Sequence, residues 1–155
     1  MAATESSSGL TFSSEGIYFS LKRKAAVQQA LLALIRKEKK KAGIISFTFC
    51  NDKYLLALNK KFLRHNTLTD IITFQYSSTL FPRKELKTKN GLSGEIFISI
   101  PRVRENARLF RVSFENELHR VMIHGILHLC GYKDKTAAKK KEMRKKEDLY
   151  LSLFE

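Results

Sequence analysis

The chain has 155 residues, the size of one domain, and its 43% hydrophobic content is enough for a core. Lysine and arginine number 29 against 15 aspartates and glutamates, so the net charge is +14; the first partner expected is nucleic acid and the second an anionic membrane surface. Two cysteines exclude a disulfide framework, and the absence of a long apolar run argues against a membrane span.

Residues 1–9 are small and polar, so they are expected to fray. They lack the basic-then-apolar layout of a signal peptide, which suggests a reducing cytoplasm. Residues 10–12 and 17–19 are short apolar pieces around Gly16 and suit an edge strand with its turn. From residue 21 to 39 the apolar positions Val27, Ala30, Leu31, Leu34 and Ile35 recur at helical spacing; lysines gather at the end, and Gly43 follows as the expected stop. Ile45, Phe47 and Phe49 alternate as a strand does. Asn51 suits the N-cap of a helix with Leu55, Leu58 and Phe62 inward. Residues 65–70 are a polar connection, and 71–76 are strand-like. Residues 77–92, with Pro82, Asn90 and Gly91, predict a long mobile loop. Ile96, Ile98 and Ile100 alternate in the strand expected over 95–100.

Pro101 suits the first turn of a helix to about Phe110. Ser113 can cap the next helix, which ends near Cys130. Val121, Met122, Ile123, Ile126, Leu127 and Leu129 leave that helix almost no polar face, so it should be central and buried. A last helix over 136–154 should turn Met143, Tyr150 and Leu153 inward. The predicted fold is α+β: one domain over 1–155, with a small mixed sheet of three to four strands packed with about five helices around the central buried helix.

That central helix carries His124-Gly125-Ile126-Leu127-His128-Leu129-Cys130-Gly131-Tyr132-Lys133-Asp134. Residues four apart share one helix face, so two imidazoles can point at one ion. Gly131 can end the helix, and the chain that turns back can bring Asp134 to the same ion, leaving a coordination position open. An Asp at 134 can equally serve the turn before the last helix. The spacing is that of the zinc-peptidase signature H-E-x-x-H-x-x-G-x-x-H, with Gly125 in place of the general-base glutamate and Asp134 in place of the third histidine. The missing glutamate and the basic charge both speak against peptide hydrolysis. Two histidines and a carboxylate suit zinc and also non-haem iron.

The same run resembles the YbeY family of bacterial metal-dependent endoribonucleases, whose motif is H-G-x-L-H-L-x-G-Y-D-H. The match holds through Tyr132, after which Lys133-Asp134 replaces Asp-His. Thr69-Asp70-Ile71-Ile72-Thr73-Phe74 resembles the family's T-D-V-L-S-F, and Gly94-Glu95-Ile96 its G-D-I. The resemblance implies a zinc-dependent endoribonuclease that cuts single-stranded RNA, matures the small-subunit ribosomal RNA and serves ribosome quality control. It also implies one Zn²⁺ held by His124, His128 and Asp134. The implied partners are rRNA with ribosomal proteins or a ribosome-associated GTPase, with no membrane and no small-molecule cofactor. The other reading is a non-catalytic factor that binds rRNA or the ribosome around a structural metal.

No general base is evident. Glu117, about 20° from His124 around the helix, and Asp70 are the candidates. Glu117 and Arg120 can orient a ligand or phosphate, or form an ordinary ion pair. The family's phosphate-contacting arginine falls on Leu63 here, so Arg64 beside it or Arg83 in the predicted loop is the expected substitute, with Arg120 as a third RNA-binding candidate. His119 lies about 140° from His124, and Cys130 about 200° from His128, so neither is expected to join the site.

Overall fold

A computed structural model describes residues 9–63, 69–76 and 91–154. The alternation of large apolar side chains builds the strands β1 (Leu10–Glu15), β2 (Lys41–Cys50), β3 (Ile71–Gln75) and β4 (Gly91–Ser99), ordered β1-β2-β4-β3 in one mixed sheet. β1 and β4 run parallel to β2, and β3 runs antiparallel to β4. Period-2 geometry sends alternate residues to opposite faces. In register, Phe47 pairs with Ile96 and Phe49 with Ile98, and these four side chains are fully buried on one face. Ile72, Phe74 and Phe97 form a smaller apolar cluster on the other, under Leu55.

Five α-helices complete the described residues: α1 (Lys24–Lys37), α2 (Asp52–Leu58), α3 (Ile100–Phe110), α4 (Phe114–Leu129) and α5 (Ala137–Leu151). This is the expected α+β layout. Asn51 and Ser113 cap α2 and α4 as expected, and Thr136, not Asp134, caps α5; each accepts from a backbone N–H three residues on. α4 lies at the centre, with Leu118, Val121, Met122, Ile123, Ile126, Leu127 and Leu129 all buried.

Two expected boundaries shift. Gly43 does not stop α1; it lies inside β2. The helix ends instead at Lys37 and is closed off by Lys39, whose φ of 62° places the Lys39 and Lys40 N–H groups on Arg36 O and Ile35 O. β4 begins at Gly91 rather than Glu95, because Gly91 and Leu92 pair with Lys41 and Ala42 and Leu92 is buried. The expectations for residues 1–8, the loop over 77–90, Arg64 and Arg83 lie outside the described residues.

The helix and sheet approach closely at Gly125. A Cβ built there stands 3.0 Å from Ile96 Cδ1 and Cγ2 and 3.1 Å from Ile71 Cδ1. The position that holds a glutamate in the zinc peptidases is thus pressed against the sheet, with no room for a carboxylate facing solvent. His124 and His128 lie about 100° and 60° around α4 from Gly125, on one flank of the sheet-facing side.

Candidate metal centre

His124 and His128 stand one turn apart near the end of α4, with their Nε2 atoms 3.0 Å apart. α4 ends through Gly131, whose φ of 109° is open to glycine and not to a branched residue. The Tyr132 N–H donates to Leu127 O at 3.0 Å, so the chain doubles back. Asp134 Oδ2 thereby comes 3.3 Å from His124 Nε2 and 3.4 Å from His128 Nε2. Donor atoms held about 2.0–2.1 Å from a common ion at tetrahedral angles stand about 3.3–3.4 Å from one another. The three side chains fit one such ion with no rearrangement beyond tenths of an ångström, and they are the group of potential ligands found among the described residues.

The return loop is anchored two residues before Asp134. Tyr132 Oη donates to Glu38 Oε1 at 2.8 Å, and Lys146 Nζ and Tyr150 Oη bind Glu38 Oε2. Burial alone would raise the Glu38 pKa, but these donors outweigh it and hold the carboxyl below its usual range. The end of α1 and the middle of α5 are thus tied to the turn that positions Asp134.

A residue that sequence reasoning missed completes the centre. Glu147, buried on α5, accepts a hydrogen bond from His124 Nδ1 at 2.6 Å. With the proton on Nδ1, the Nε2 lone pair faces Asp134 and His128. A carboxylate behind a histidine in this way fixes the tautomer and ring orientation of a metal ligand. Arg120 donates to Glu147 Oε1 at 3.1 Å and to Asp148 Oδ1 at 2.9 Å. Its guanidinium is therefore committed to bracing Glu147 through a helix-to-helix ion pair. A signal for Glu147 was present: it falls four residues after Met143 and three before Tyr150, on the buried stripe of α5, where a carboxylate needs a partner.

Burial lowers the affinity of His124 for a proton, but the hydrogen bond and charge of Glu147, helped by Asp134 and Asp70, reverse this and leave its pKa above the ordinary value. His128 is shifted down by burial and by His124. Two imidazoles and one carboxylate that converge in this way could hold a metal ion.

His124 and Asp134 open onto a cavity of about 360 Å³ that Asp70, Glu117, Arg120 and Arg144 also line. Glu117 is 3% exposed, and its Oε1 has no hydrogen-bond partner among the described residues. Burial, opposed by Arg120 and reinforced by Asp70 and Glu147, pushes its carboxyl up to about 7. Asp70 accepts from Asn106 Nδ2 at 3.3 Å, and burial raises its pKa too. His119 is elsewhere, stacked on Phe154 with centroids 4.5 Å apart. The Cys130 thiol is not among the converging donors, and burial pushes its pKa up to about 12, away from the thiolate a metal would need.

The family model described as endoribonuclease YbeY matches residues 11–155. A protein named endoribonuclease YbeY from Flavobacterium johnsoniae is 47% identical over 136 residues, covering 88% of this chain and 91% of that protein. One of the same name from Cytophaga hutchinsonii is 44% identical over 142 residues, covering 92% and 93%. The solution structure of a Thermotoga maritima protein superposes with a TM-score of 0.61 at 26% identity, over 94% of this chain and 88% of that one.

Proposed function

Because the chain belongs to the endoribonuclease YbeY family, whose members are hydrolases acting on RNA, we propose that it cuts single-stranded ribosomal RNA with one zinc ion held by His124, His128 and Asp134. The observation that carries this reading is the triangle of donor atoms with sides of 3.0, 3.3 and 3.4 Å, braced from behind by Glu147. When bound there, zinc supplies Lewis acidity toward a phosphoryl oxygen and lowers the pKa of a water. Three protein donors leave a fourth position open, whereas a structural zinc is ordinarily closed by four. That difference favours catalysis over a purely structural metal.

The residues around the triad divide the remaining work. Glu147 keeps the His124 proton on Nδ1, and Arg120 keeps Glu147 in place. Arg144 and Lys140, on the cavity wall, attract the RNA backbone. Glu117, with a pKa of about 7, can accept or give up a proton near neutral pH and is the proposed general acid–base group. Asp70 shapes the opposite wall. Residues 1–155 act as one domain, and the proposed partners are rRNA with ribosomal proteins or a ribosome-associated GTPase, in the cytoplasm. No helix among the described residues is long and apolar enough to cross a membrane.

The test is His128→Ala. Metal binding and cleavage of a single-stranded oligoribonucleotide should be lost together. Cleavage at the wild-type rate by a metal-free variant would refute the reading.

A further inference from the structure

The buried stripe of α3 runs through Ile100, Val103 and Ala107, each three or four residues after the last. Phe110 is the next position on that stripe, yet the residue is 57% exposed, and it lines the cavity that holds His124 and Asp134. Leu109 beside it is 67% exposed. The helix is firmly terminated just behind the ring: Arg111 has a φ of 57°, and the Val112 N–H bonds to Ala107 O at 3.0 Å. An aromatic side chain is therefore held at a fixed helix end with its stripe running out of the core and into the cleft. α5 lends the same cavity the cations Lys140 and Arg144.

We propose that Phe110 is a stacking platform for a nucleobase of the RNA strand whose phosphate is held at the triad. An aromatic surface beside cations is the pattern that binds single strands, since each unpaired base offers a π-face while its phosphate meets the cations. A duplex keeps its bases stacked on one another and cannot use the platform, so Phe110 selects for unpaired RNA. The cavity volume of about 360 Å³ falls within the roughly 300–1,000 Å³ of small-ligand sites, room for one nucleotide. This inference rests on the endoribonuclease reading.

The experiment measures binding of the zinc-loaded full chain to a short fluorescent single-stranded oligoribonucleotide and to the same oligomer made abasic. Phe110→Ala should raise the Kd for the normal oligomer at least about fivefold. It should leave the abasic Kd unchanged. Phe110→Trp should restore tight binding, and Phe110→Leu should not, because leucine supplies apolar area without a π-face. Full binding by Phe110→Ala, or full rescue by Phe110→Leu, would overturn the platform while leaving the RNA reading intact. A lowered melting temperature with unchanged RNA affinity would show that the ring is covered by this same chain, and would also overturn it. Wild-type protein that binds no oligoribonucleotide would overturn the RNA reading and the platform together.

Discussion

Replacing Glu147 with alanine removes a single hydrogen bond from the centre, the 2.6 Å contact to His124 Nδ1. The three donor atoms remain, so any change in metal affinity reports on the orientation and charge that Glu147 supplies to His124. Without the carboxylate, the imidazole can rotate and take either tautomer, and only one tautomer turns a lone pair to the ion. Losing such a partner typically weakens metal binding about 10–100-fold, or roughly 1.4–2.7 kcal/mol. Arg120 retains Asp148 at 2.9 Å and is 19% exposed, so its own loss is small and the fold survives. Zinc affinity is read by competition with a chromogenic chelator at pH 7.5, beside thermal unfolding of the metal-free proteins. Glu147→Gln should fall between wild type and Glu147→Ala, because an amide oxygen still accepts the Nδ1 proton. A folded Glu147→Ala protein with wild-type zinc affinity would refute the reasoning.

Gly125→Ala should destabilise the protein. Alanine gains about 1 kcal/mol of helix propensity, but a methyl 3.0–3.1 Å from three isoleucine carbons overpacks the helix–sheet contact by about 1–3 kcal/mol. Chemical denaturation measures the balance, and a stabilised variant would contradict the packing described. Glu117→Gln should stabilise metal-free protein in a pH-dependent way. A carboxyl raised from 4.5 to about 7 makes the folded state hold its proton better than the unfolded chain. Wild-type stability from this group is therefore full below pH 4.5 and lost as pH rises through about 7. The glutamine variant should gain about 3 kcal/mol at pH 8 and under about 1 at pH 5, read from unfolding curves at the two pH values. Equal gains at both would show that the Glu117 pKa is ordinary.

Local chemistry made much of this molecule readable. Asn51 and Ser113 read as helix caps because their side chains reach a backbone N–H three residues on, and that requires nothing distant; Thr136 caps α5 in the same way. The unbroken apolar faces of α4 announced a buried helix, and the i, i+4 histidines with Gly131 announced a convergent site. Features that depend on distant packing were harder to see. Glu147 is paired to a histidine 23 residues earlier only because of how α5 lies along α4. Arg120 suggested either a phosphate contact or an ion pair, and the same helix pairing gives it Glu147 and Asp148. Gly43 reads as the stop of α1 because glycine readily takes positive φ, whereas Lys39 does so here. The start of β4 at Gly91 was hidden by turn-forming residues that pair with the first residues of β2.

Most depends on the convergence of His124, His128 and Asp134 on one cation. Elemental analysis of purified wild-type protein beside Asp134→Ala, with zinc affinity measured for both, tests it directly. Wild type should carry one zinc per chain, and the variant should lose most of it while staying folded. A metal-free wild type that cannot be loaded, or an Asp134→Ala protein that holds zinc as tightly as wild type, would contradict the claim.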